Sequence, residues 1–136
     1  MAITYRNSLL TVTALALACS SAHLFAQTKA HSMASYTTCA VYHRMLAGAY
    51  MRERQSPELA NIETQKMQEF IARAKRAGQQ TSSAEATEQQ FLEAWRADLQ
   101  SMEDQINRNY KNISHLRINY KKPCAALQAA QDEPAN

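Results

Sequence analysis

Residues 83–124 read SAEATEQQFLEAWRADLQSMEDQINRNYKNISHLRINYKKPC, and whether this stretch is one helix or two decides the fold. Leu92, Trp95, Leu99, Met102, Ile106, Ile113, Leu116 and Tyr120 keep a heptad spacing that only Asn109 interrupts, and neither Gly nor Pro occurs between Gly78 and Pro123. Ser82 and Glu85 stand three apart as a capping box for its start. A single helix from Ser83 to Tyr120 would span about 55 Å at 1.5 Å per residue.

Working back from this stretch, residues 58–77 place Leu59, Ile62, Met67, Phe70, Ile71, Ala74 and Ala77 on one side of a helix. Ser56-Pro57 caps its start, and Gly78 is the expected C-cap. Upstream, residues 38–51 form a third helical segment, with Thr37 or Thr38 as N-cap and Cys39, Tyr42, Leu46 and Ala49 as a stripe. Val41, Met45, Tyr50 and Met51 extend apolar surface around the rest of that cylinder, so the segment must be buried on several sides. Gly48, between Ala47 and Ala49, reads as a site of close packing.

The composition agrees with helices. Of 136 residues, Gly 2 and Pro 3 are too few for the turns of a sandwich or barrel, and no glycine-rich loop exists to cradle a nucleotide. The apolar share of 46% is enough for one globular domain.

Arg6 leads into an apolar run, Leu9 to Ala18, followed by small residues and Leu24-Phe25-Ala26, the layout of a secretory signal peptide over residues 1–26. The run is shorter than the roughly 20 residues that cross a bilayer, so no transmembrane helix is expected after cleavage. Ala16-Leu17-Ala18-Cys19 resembles a lipobox, and anchoring through a lipidated Cys19 is the alternative to a periplasmic or secreted protein. Residues 27–37 read as a flexible N-terminal segment, 38–127 as a single helical domain and 128–136 as a frayed tail.

Cleavage leaves two cysteines in an oxidising compartment, and a Cys39–Cys124 disulfide is expected. Metal binding by Cys39, His43 and Cys124 competes with it, because Cys39 and His43 lie at i,i+4. The disulfide constrains topology in turn. If Pro57 only kinks one long helix, the chain is an antiparallel helical hairpin whose open end the disulfide clamps. If the chain reverses at Pro57, it must turn again between Asp104 and Asn112, which makes a small four-helix bundle. A hairpin leaves the first segment half covered and so demands a homodimer or partner; a bundle encloses it in a monomer.

Glu85, Glu88, Glu93, Asp98, Glu103 and Asp104 precede Arg108, Lys111, Arg117, Lys121 and Lys122, an order that suits the dipole of one continuous helix. On such a helix Arg108, Lys111, His115 and Lys122 would share one ridge able to meet an acidic partner. The net charge of +3 is small, and no aromatic residues interleave these cations as stacking platforms, which argues against nucleic acid.

Glu53, Glu58, Glu63 and Glu69 fall beside Lys or Arg and read as solvating charges, and no nucleophile elbow or catalytic dyad is visible. His31, Met33, His43 and Met45 allow a copper site, and His115 with a methionine a haem site, without specific spacing. The expectation is therefore an exported, non-enzymatic interaction module with no cofactor, binding a protein or envelope component. Val41, Met45, Tyr50 and Met51 would be its apolar anchors, with Arg108, Lys111, His115 and Lys122 as the steering charges. A ligand-binding bundle holding a metal or haem is the alternative.

Overall fold

A computed structural model describes residues 32–52 and 56–130. The expected signal peptide over residues 1–26, with Cys19, lies outside the described residues, as do His31 and residues 131–136 of the tail. Four helices follow in order: α1 (Met33–Arg52), α2 (Pro57–Gln79), α3 (Ala84–Gln105) and α4 (Ser114–Ala129), with a 3-10 turn at Tyr110–Asn112 before α4. The described residues are all-α, a small four-helix bundle, and the long hairpin is excluded because the stretch that decides the fold is two helices.

α1 is the central helix. Tyr36, Cys39, Ala40, Val41, Tyr42, Met45, Leu46 and Ala49 are all buried, and they point around the whole cylinder because the other helices cover it on several sides. It starts five residues before the expected Thr38, so residues 33–37 are helix instead of a flexible lead. The Ser32 hydroxyl accepts from the Ser35 amide. Thr37 and Thr38, expected as caps, instead donate back to the Met33 and Ala34 carbonyls.

α2 begins as the sequence indicates, with Pro57 in its first turn and the Ser56 hydroxyl accepting from the Leu59 amide. It packs antiparallel along α1: Tyr36 meets Phe70 at a ring separation of 6.3 Å, and His43 meets Glu63. Gly78 is not a left-handed cap. It lies inside the last turn of α2, where a Cβ would stand 2.5 Å from Thr87 Cγ2 and 2.8 Å from Met33 Sδ. Glycine is required there by the closeness of α1 and α3. Lys75 and Glu88 bridge α2 to α3 at 2.7 Å, and the Ser83 hydroxyl caps α3 by accepting from Ala86.

α3 stops at Gln105 without Gly or Pro. Asn107 and Arg108 both take left-handed backbone angles, φ 51° and 54°. The Arg108 amide donates to the Glu103 carbonyl at 2.7 Å, closing the helix end. Asn109 then caps the 3-10 turn through its side chain, and Asn112 Nδ2 donates to the Ile106 carbonyl. Tyr110 folds back onto α1 against Gly48, as the small residues there foretold, and its hydroxyl points at Met45 Sδ.

α4 runs antiparallel to α1, matching Arg117 to Tyr50, Tyr120 to Tyr42 and Cys124 to Cys39. It continues through Pro123 to Ala129, so residues 128 and 129 belong to the helix. Only Leu116, Cys124 and Leu127 on α4 are buried, and the expected Cys39–Cys124 disulfide fixes the helix to α1 across 85 residues. Closing a loop of that length stabilises the fold by about 4 to 5 kcal/mol in the chain-entropy model.

Candidate functional site

The weak seating of α4 leaves a cleft on either side of it. On the side toward α3 lies an apolar groove of about 640 Å³ over the disulfide, lined by Tyr120, Pro123, Ala126 and Leu127. At its edge the Thr38 hydroxyl shares its one proton between the Ala34 carbonyl and Asp98 Oδ2, the latter at 2.9 Å. Burial raises the Asp98 carboxyl above its ordinary value, only partly countered by that hydrogen bond.

On the side toward α2 lies a polar cleft of about 370 Å³ whose floor is α1. Its base holds a buried pair. His43 Nδ1 donates to Glu63 Oε2 at 2.5 Å, the imidazole stacks on Phe70 with ring centroids 5.4 Å apart, and Lys66 Nζ reaches Glu63 Oε1 at 3.2 Å. Burial alone would push the Glu63 carboxyl up, but the hydrogen bond and charge of His43, together with Lys66, bring it below the ordinary value of 4.5. The Tyr42 hydroxyl beside them is pushed up to about 12, by burial first and by the Glu63 charge second.

Glu63 is therefore not the solvating charge that its neighbours in sequence imply. It stands three residues after buried Ala60 and seven before buried Phe70, on the inward face of α2. That spacing was the available signal, and the carboxylate obscured it. α4 contributes Arg117 and Lys121 to the same cleft, at i,i+4 on one flank. Arg117 Nη2 donates to the Tyr50 hydroxyl at 3.2 Å, and its guanidinium lies 5.5 Å from the Tyr50 ring.

The residues expected to bind a partner are dispersed. Val41 and Met45 are completely buried and cannot serve as anchors, because the bundle uses the apolar surface of α1 as its own core. Tyr50 is half-buried against Arg117, whereas Met51 is 64% exposed. Arg108, Lys111, His115 and Lys122 are all exposed, but they form no continuous ridge: Arg108 is in the turn, Lys111 in the 3-10 segment, and only His115 and Lys122 share a helix. Seven residues apart on α4, those two flank Ile118, which is 78% exposed and is the most solvent-facing large apolar side chain of the described residues.

The break also changes the charge reading. Glu103 and Asp104 now sit at the C-terminus of α3, which has no base in its last turn, and His115 and Arg117 sit near the N-terminus of α4, which has no acid in its first. Each placement opposes its helix dipole, whereas one continuous helix would have suited the order.

The cysteines are consumed by the disulfide, which removes the Cys39, His43 and Cys124 metal set. Among the described residues no group of three or more His, Cys, Asp or Glu side chains is placed to hold a metal ion, and no helix is long and apolar enough to cross a membrane. No protein-family model matches the chain, and neither the curated proteins nor the solved structures gave a match to it.

Proposed function

We propose that this chain is an exported, disulfide-clamped helical binding module that docks the outer face of α4 onto an acidic protein or envelope component. The observation that carries the reading is the surface around Ile118. A largely exposed isoleucine stands between His115 and Lys122, with Arg108 and Lys111 in the adjoining turn and no acidic residue anywhere between Gln105 and Ala130. An apolar centre with a cationic surround suits a partner surface of opposite charge, which would speed encounter and exclude basic competitors. The disulfide and the leader-like run of residues 1–26 support a periplasmic or secreted location.

The ionic arrangement supports docking over a purely structural role, since bases at the start of α4 cost stability there. With α1 enclosed within one chain, its apolar surface no longer calls for a second copy. Among the described residues no group of three or more His, Cys, Asp or Glu favours the metal-binding alternative.

The test is photo-crosslinking in the native compartment from a probe at Ile118, with a probe at Gln90 on α3 as reference. A discrete adduct from position 118 alone, abolished by charge reversal in Lys122→Glu, is the expected result. Equal labelling from both positions, or an adduct unaffected by the reversal, would reduce the basic face to a solvated one.

A further inference from the structure

The other flank of α4 carries a different feature. Lys66 on α2 and Arg117 and Lys121 on α4 converge on the cleft over α1, and the one carboxylate among the lining residues, Glu63, is already engaged by His43 and Lys66. Neither Arg117 nor Lys121 forms an ion pair among the described residues, and Arg117 is instead oriented by the Tyr50 hydroxyl. The two are i,i+4 neighbours of like sign and face a third cation across the gap. A solvated surface would disperse such charges, because like-charged pairs at this spacing are destabilising. Leu46 on the floor and the half-cystine Cys124 are buried and apolar, which lowers the local dielectric beneath the charges and strengthens attraction for an incoming anion.

We propose that this cleft binds a small, doubly charged oxyanion, such as phosphate or a short dicarboxylate, between Lys66, Arg117 and Lys121. Glu63 offsets only one of the cations around the cleft, which leaves net positive charge for a doubly charged ligand to neutralise. The Arg117 guanidinium offers paired N–H donors that match two oxygens of a phosphate or carboxylate, and Lys66 and Lys121 supply mobile ammonium donors from opposite walls. The Tyr42 hydroxyl stays protonated well past neutral pH and is a further donor at the floor. Cys124 lines the cleft and holds α4 in place, so the disulfide keeps the two cationic walls at a fixed separation.

The site rests on different residues from the docking face: neither Ile118 nor Lys122 lines the cleft. The experiment is an NMR and calorimetric titration of the oxidised protein with inorganic phosphate and with succinate, using acetate as a singly charged control. The expected result is saturable binding of phosphate or succinate at least about tenfold tighter than acetate, one factor of ten being 1.4 kcal/mol, with shifts centred on Tyr42, Tyr50 and Arg117. Whichever dianion saturates identifies the head group. Lys66→Gln, Arg117→Gln and Lys121→Gln each weaken it about fivefold or more by loss of a charge-assisted hydrogen bond, while Lys122→Gln leaves it unchanged. Lys121 forms no ion pair, so its variant folds even if Arg117→Gln disturbs the Tyr50 contact. Failure of both dianions to saturate, or equal weakening by Lys122→Gln and Lys121→Gln, overturns the proposal. The docking reading fails separately, through loss of the position-118 adduct specificity while anion binding persists.

Discussion

His43 of α1 and Glu63 of α2 are joined at 2.5 Å inside the bundle, with only 7% and 10% of their side chains exposed. Two ionisable groups withdrawn this far from water are tolerated because each satisfies the other and Lys66 takes the second carboxylate oxygen. Because the folded carboxyl lies below its ordinary 4.5, its contribution to stability is complete above that value and is lost as pH falls through the lower folded one. Glu63→Gln should therefore destabilise by about 1.5 to 3 kcal/mol at neutral pH, and the difference from wild type should shrink on acidification. Chemical denaturation across pH 2 to 7 measures it. A difference that stays constant with pH would mean that the carboxyl is not held low.

The disulfide should matter unequally along the chain. α1 and α2 bury a continuous shared face, whereas α4 contributes three buried side chains, one of them a half-cystine. Reduction, or Cys39→Ser with Cys124→Ser, removes about 4 to 5 kcal/mol of constraint on the unfolded chain and with it the main tether of α4. Hydrogen exchange on the reduced protein should show protection lost first in residues 114–129, with residues 36–49 and 60–78 retaining theirs. Uniform loss across all four helices would show that α4 is an integral part of one cooperative core.

The two glycines separate conformational from steric need. Both lie in right-handed helix, where alanine is normally favoured by about 1 kcal/mol. At Gly78 an added methyl would collide with Thr87, a β-branched side chain that is 1% exposed and has nowhere to rotate. At Gly48 it would meet the edge of the Tyr110 ring at 3.1 Å, and that ring sits on a half-exposed turn able to yield. Gly78→Ala is expected to destabilise by about 1 to 3 kcal/mol through overpacking, and Gly48→Ala to be close to neutral. Thermal unfolding of the two variants compares them directly, and equal effects would place α3 further from α2 than the structure does.

What could be read in advance followed from residues whose chemistry acts locally. Ser56-Pro57 starts a helix by capping and a preset φ, the all-round apolar surface of α1 demands enclosure, and Cys39 and Cys124 pair. The turn between Asp104 and Asn112 was legible only through the disulfide, as one of two topologies, for a physical reason: Ile106 and Ile113 are seven apart and both buried, so the heptad pattern survives a break between them. Asparagines 107, 109 and 112 do there the work usually marked by Gly or Pro, through left-handed backbone, a side-chain cap and a bond to the Ile106 carbonyl. The site was obscured likewise. Glu63 reads as a surface charge unless its partner His43, twenty residues away, is known to face it, and Arg117, Lys121 and Lys66 meet only once α4 is folded back beside α2.

Arg108 provides the sharpest test of that turn. At φ 54° an arginine is strained, because left-handed backbone costs a non-glycine residue about 1 to 2 kcal/mol. Its ion pair with Asp104 is long, at 3.8 Å, and both side chains are mostly exposed, so losing it costs little. Arg108→Gly relieves the strain but adds freedom to the unfolded chain, which offsets part of the gain. The expected net effect is a stabilisation of up to about 1 kcal/mol, seen as a rise of a few degrees in the unfolding midpoint, with Arg108→Val moving the other way because a β-branched residue fits left-handed backbone worst. In an unbroken helix the order would invert: glycine would cost about 1 kcal/mol and valine about half that. The sign of the glycine effect thus distinguishes a bundle that turns at Arg108 from a hairpin whose long helix runs straight through it.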